Sequence, residues 1–117
     1  MSEILGGKLL MTTKAICAIV ERGKADGIVD KAKKAGAEGA TVFYGRGTGE
    51  KEFLKFFNRQ IESSKEIILI VTQEEKLDPI LNAIIKAGNL DHPGAGIVFT
   101  FDIENLHGLQ HRLDVKS

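Results

Sequence analysis

Four short apolar runs, rich in β-branched residues, punctuate this chain, and two longer stretches of helical periodicity lie between them. Residues 15–20 (Ala-Ile-Cys-Ala-Ile-Val) are flanked by Lys14 and Glu21 and do not alternate apolar with polar. A run of that length and composition predicts a strand covered on both faces. Residues 40–44 predict a second strand. Residues 67–71 (Ile-Ile-Leu-Ile-Val) predict the strongest one, again apolar on both sides, and residues 97–103 predict the last. From Lys24 to Ala35, Ala25, Ile28, Val29, Ala32 and Ala35 form one stripe of an amphipathic helix. Lys31, Lys33 and Lys34 fall late in it, where the helix dipole favours positive charge, and Gly36 suits the position just past its end. A second helix carries Leu77, Ile80, Leu81, Ile84 and Ile85 on one side. Pro79 belongs in its first turn, so it should start between Glu74 and Asp78 and stop with Gly88 as its terminal glycine.

The order is strand, helix, strand, long loop, strand, helix, strand. Two βαβ units in tandem predict an α+β, ferredoxin-like βαββαβ fold, a four-stranded antiparallel sheet with both helices on one face. That layout leaves the other face bare. Strands apolar on both sides would then expose more contiguous apolar area than the few hundred Å² of an ordinary monomer. Another copy of the same sheet is the simplest cover, which predicts a closed homo-oligomer.

One domain is expected over residues 13–109, with an N-terminal extension over 1–12 and a C-terminal tail over 110–117. The loops hold the candidate chemistry. Gly45, Arg46, Gly47, Thr48 and Gly49 follow the second strand directly. Three glycines at alternate positions around an arginine point to amides facing a negative group, the alternative being a plain turn. Beyond them, residues 50–64 are charged and carry the aromatic cluster Phe53, Leu54, Phe56 and Phe57. This reads as a mobile docking segment with a hydrophobic anchor, or as a short helix on the domain's own surface. Residues 89–96 form a second glycine-bearing loop. Arg22 and Lys24, in the first turn, either face a phosphate or are simply solvated.

Lys+Arg and Asp+Glu balance at 16 each in 117 residues. The resulting net charge of zero argues against a dedicated nucleic-acid binder and permits self-association. The one cysteine, Cys17, is expected to be a buried structural thiol. No apolar run reaches the roughly 18–20 residues of a membrane span, and no signal peptide is evident. A cytoplasmic protein without direct membrane insertion is the expectation. His107 and His111 share a helical face but lack a completing ligand, so no metal is required. No catalytic constellation emerges, so the chain is not expected to be an enzyme.

With these elements placed, the chain resembles the P-II nitrogen-regulatory signalling proteins over about residues 14–109. The resemblance is carried by Ala18-Ile19-Val20-Glu21-Arg22-Gly23-Lys24, by Ala37-Glu38-Gly39-Ala40-Thr41-Val42, by Tyr44-Gly45-Arg46-Gly47-Thr48-Gly49, and by Ala87-Gly88-Asn89 with Pro93-Gly94-Ala95-Gly96-Ile97-Val98-Phe99. It implies a homotrimer whose sheets face the centre, with an adenine nucleotide in each cleft between subunits. It also implies a mobile T-loop, about residues 45–64, that controls a target protein: a transporter, an enzyme or a regulator. Thr41, Gly45, Arg46, Gly47, Thr48 and Gly49, with Pro93, Gly94, Ala95 and Gly96 of the B-loop (about residues 89–96), are the implied nucleotide-binding set. The chain departs from the family's pattern at three cations. Ile97 stands where a lysine is usual, and Gly108 and Gln110 stand where two arginines are usual, with Arg112 nearby. Their loss should weaken triphosphate binding, which favours AMP, ADP or cyclic AMP over ATP. The loop is also shorter and lacks the tyrosine that enteric members modify. A trimeric metal-binding protein of the CutA kind, which shares the fold, and a small ferredoxin-like enzyme are the alternatives.

Overall fold

The computed structural model describes residues 13–46 and 64–108. Its elements run β1 (Thr13–Glu21), α1 (Ala25–Lys34), β2 (Thr41–Arg46), β3 (Ser64–Gln73), α2 (Glu74–Gly88) and β4 (Gly96–Asp102). The strands form one antiparallel sheet in the order β2-β3-β1-β4. Each predicted element is present, and the layout is the ferredoxin-like one.

The two faces of the sheet differ as strand alternation requires. Ile16, Ala18 and Val20 of β1 and Ile68 and Ile70 of β3 point to the helices and are almost fully buried, with Ile28, Ile80 and Ile84 from above. The registers Cys17↔Leu69, Cys17↔Phe99, Ile19↔Ile67, Ile19↔Ile97, Phe43↔Ile67 and Ala15↔Phe101 put the intervening residues together on the other face. There Phe43, Phe99 and Phe101 are 47%, 45% and 46% exposed. The chain thus folds around one core and leaves a second apolar surface uncovered. Cys17 lies half-buried on this open face, where a fully buried thiol was expected. Its burial pushes the thiol pKa up.

Three local details correct the sequence reading. First, β3 extends to Ser64, well before the apolar run begins, because its two charged residues are accommodated. Lys65 and Glu66 are both buried, and the Glu66 carboxylate accepts the Ala25 N–H at 2.8 Å. A carboxylate from β3 therefore caps the N-terminus of α1, where negative charge and an orphan amide meet. Second, α2 starts at Glu74, so Pro79 sits in its second turn and the Glu75 carbonyl loses its usual partner. Third, the left-handed residue ending α2 is Asn89 (φ 56°) and not Gly88. Gly88 is glycine for space: a Cβ there would come within 3.1 Å of Ile28 and Leu90 side-chain atoms. It lets α1 and α2 approach.

Candidate functional site

The candidate site is built at one end of the sheet. β1 and β2 both run antiparallel to β3, so their C-terminal ends emerge together. β1 ends at Glu21 and turns through Arg22 and Gly23, with Gly23 at φ 95°. β2 ends in Tyr44, Gly45 and Arg46. Alternation puts Tyr44 and Arg46 on the helix-bearing side, along with Ser64, the register partner of Arg46. The Arg22 guanidinium lies over the Tyr44 ring, 5.3 Å from its centroid. Arg22, Tyr44, Gly45, Arg46 and Ser64 line one depression of about 390 Å³. Its described lining offers two permanent cations, two hydroxyls and no carboxylate. A hollow of that make-up is suited to an anion.

Gly45 is glycine for proximity. It takes no positive φ, but an added Cβ would meet Ile67 Cδ1 at 2.5 Å. Thr41 is exposed at the other end of β2, five residues from Arg46 and on the opposite face. The rise of a strand separates the two by about 16 Å. Only an extended ligand lying along the β2 edge would reach both. Gly47, Thr48 and Gly49, and the cluster Phe53, Leu54, Phe56 and Phe57, lie outside the described residues, as do Gln110, His111 and Arg112.

The second glycine loop is at the same end of the sheet but on the far edge. Tyr44, Glu66, Val20 and Gly96 stand in one register row across the four strands, so three strand spacings, about 14 Å, separate the β2 end from the β4 start. The loop is held by turns, with the His92 N–H donating to the Asn89 carbonyl and the Ala95 N–H to the His92 carbonyl. Gly94 (φ 83°) and Gly96 (φ 137°) both need glycine for their backbone. At Gly96 a Cβ would also lie 2.6 Å from the Ile19 carbonyl oxygen. Within one chain, then, the end of β2 and this loop lie on opposite edges of the sheet.

Other charged side chains pair away from this depression. Lys14 and Asp102 pair at 2.6 Å at the opposite end of the sheet, and this hydrogen bond, against partial desolvation, holds the lysine pKa above its ordinary value. Glu38 pairs with Lys76 at 3.4 Å. Among the described residues, no three His, Cys, Asp or Glu side chains cluster as a metal site, and no helix is long and apolar enough to cross a membrane. Sequence reasoning left Arg22 undecided and out of the expected nucleotide-binding set. The signal was available, since the crossover connection brings the ends of β1 and β2 to the same end of the sheet.

The family model described as nitrogen regulatory protein P-II matches residues 13–112. The fold is similar to that of the Arabidopsis thaliana PII protein solved with bound citrate, with a TM-score of 0.62 at 22% identity, covering 80% of this chain and 78% of that one. At that identity the likeness speaks to the fold. No curated protein matches the chain.

Proposed function

Since this chain belongs to the nitrogen regulatory protein P-II family, we propose that it is a cytoplasmic signalling protein, not an enzyme, that assembles as a homotrimer. It binds an adenine nucleotide in the clefts between its copies, and it controls a target protein through the segment after β2. AMP, ADP or cyclic AMP is the effector in preference to ATP, and no metal is required.

One observation carries the reading. The end of β2, at Gly45 and Arg46, and the glycine loop before β4 stand at the same end of the sheet on opposite edges, about 14 Å apart, beside an open apolar face that bears Phe43, Phe99 and Phe101. Packing such faces together covers the apolar surface and places the β2 edge of one copy near the β4 edge of the next. The bends then form one pocket, with Gly45, Arg46, Gly47, Thr48 and Gly49 on one wall and Pro93, Gly94, Ala95 and Gly96 on the other. Thr41 meets the base at the far end of the β2 edge. The citrate on the Arabidopsis protein is an anion held by the same fold, in keeping with a site for negative charge. Phe53, Leu54, Phe56 and Phe57 dock the target.

The test is a melting-temperature screen of AMP, ADP, ATP and cyclic AMP, read beside the mass in solution. A ligand at a hundred times its Kd adds about 2.7 kcal/mol to the bound form, a rise on the order of ten degrees for a domain of this size. No shift with any nucleotide at millimolar concentration would refute the nucleotide pocket. A mass of 12.7 kDa, that of a single chain, would remove the cleft itself.

A further inference from the structure

We infer that Arg22 is a phosphate-binding residue that works as a pair with Arg46, and that the pair favours a nucleotide of low total phosphate charge, AMP first and ADP next, over ATP. The inference rests on the nucleotide reading above and goes beyond it by assigning a residue and a charge preference.

Arg22 enters from the β1–α1 turn and Arg46 from the end of β2, yet both line the same depression with Tyr44, Gly45 and Ser64. They are the two arginines among the described residues, and no ion pair to either is seen there. Two guanidiniums facing one hollow repel each other, and an anion between them removes that cost. Tyr44 fixes one of them. With its ring 5.3 Å from the Arg22 guanidinium carbon, it holds the cation by its face. The donors of a guanidinium point outward in its plane, so stacking leaves them available for the paired oxygens of a phosphate. The Ser64 hydroxyl adds a further donor.

The rest of the cleft makes this pair decisive. Residues 89–108, which comprise the second glycine loop, β4 and the segment after it, contain no Lys or Arg. That wall brings no permanent cation: its loop offers backbone amides and the side chains of Asn89, Asp91 and His92. A terminal phosphate carries a charge of about −1.5 to −2 at neutral pH, which two guanidiniums match. ATP brings further negative charge that neither described wall neutralises. Cyclic AMP has a single charge and no terminal phosphate, so it gains least from the pair.

Calorimetric titration of AMP, ADP, ATP, cyclic AMP, adenosine and inorganic phosphate into the full chain, the Arg22→Gln variant and the Arg22→Lys variant tests this. Arg22 is exposed in a turn, so both variants should keep the parent circular dichroism spectrum. In the parent, AMP should bind at least about tenfold more tightly than adenosine, the scale of one charge-assisted contact. Arg22→Gln should erase most of that ratio while leaving adenosine unchanged, and Arg22→Lys should fall between. An AMP-to-adenosine ratio unaltered in Arg22→Gln would overturn the assignment, and so would ATP binding the parent more tightly than AMP and ADP. If no nucleotide binds the parent, the nucleotide reading fails by itself. Inorganic phosphate then decides the arginine pair: binding lost in Arg22→Gln keeps it, and no binding to the parent ends it.

Discussion

Replacing Phe99 with alanine tests the open face directly. Phe99 is 45% exposed in the single chain and stands opposite Cys17 across the β1–β4 ladder. An aromatic side chain offers about 200 Å², so about 90 Å² of ring awaits cover. At 25 cal/mol per Å² this is worth about 2 kcal/mol per chain, or about 6–7 kcal/mol per trimer. The trimer association constant should fall by between four and five powers of ten, roughly, at 1.4 kcal/mol per decade. For a three-body equilibrium the midpoint concentration scales as the square root of that loss, so it should rise on the order of a hundredfold. Light scattering after size exclusion over a dilution series reads this as passage from three times 12.7 kDa, about 38 kDa, to one chain. The variant should retain its secondary structure, because the helix-covered core does not include Phe99. An unchanged mass and midpoint would refute the use of this face in assembly.

Gly96→Ala should cost about 2–3 kcal/mol, because a left-handed backbone and the Ile19 carbonyl oxygen both exclude a Cβ. Gly39→Ala, which meets nothing within 4 Å, should cost far less, and equal denaturant midpoints for the two would contradict the geometry. Glu66→Ala orphans the Ala25 N–H and should destabilise by about 1–3 kcal/mol, seen as a lower urea midpoint at unchanged slope. For Cys17, burial raises the thiol above its ordinary 9.0. The unfolded chain then ionises first as pH rises, so stability is whole below pH 9.0 and declines as pH climbs towards the folded value. Cys17→Ala should flatten that alkaline limb in thermal melts, and a limb identical to the parent's would show the thiol is not its source.

Periodicity made the element types legible, since each apolar stripe or run lies within one strand or helix. What it missed involves partners distant in sequence. Lys65 and Glu66 read as polar residues before a strand, yet β3 contains both, because Glu66 finds the first amide of a helix 41 residues earlier. Gly88 read as a helix stop, yet Asn89 takes the left-handed turn and Gly88 serves the contact with Ile28. Cys17 read as a buried thiol because its neighbours are apolar, but strand alternation sends Ile16 and Ala18 to the helices and Cys17 to the open face, where it is half-buried. The arginine pair was hidden for a different reason. Arg22 and Arg46 belong to separate motifs, and only the order β2-β3-β1-β4 makes them neighbours of Tyr44.

The two walls of the proposed pocket differ in kind, and that difference couples binding to assembly. The β2 wall brings two permanent cations through Arg22 and Arg46; the β4 wall brings none. With the walls about 14 Å apart on one chain, a nucleotide that touches both must bridge two copies. Its binding free energy then appears as association free energy. At a hundred times Kd, three filled sites add about 8 kcal/mol to the trimer, slightly more than Phe99→Ala removes. AMP should therefore restore the mass of about 38 kDa to a Phe99→Ala sample diluted to single chains, and it should do so only while Arg22 is present. If AMP bound the dissociated chain with the affinity of the assembled one, both walls would have to come from a single copy, which the register row from Tyr44 to Gly96, with the walls on opposite edges, does not allow.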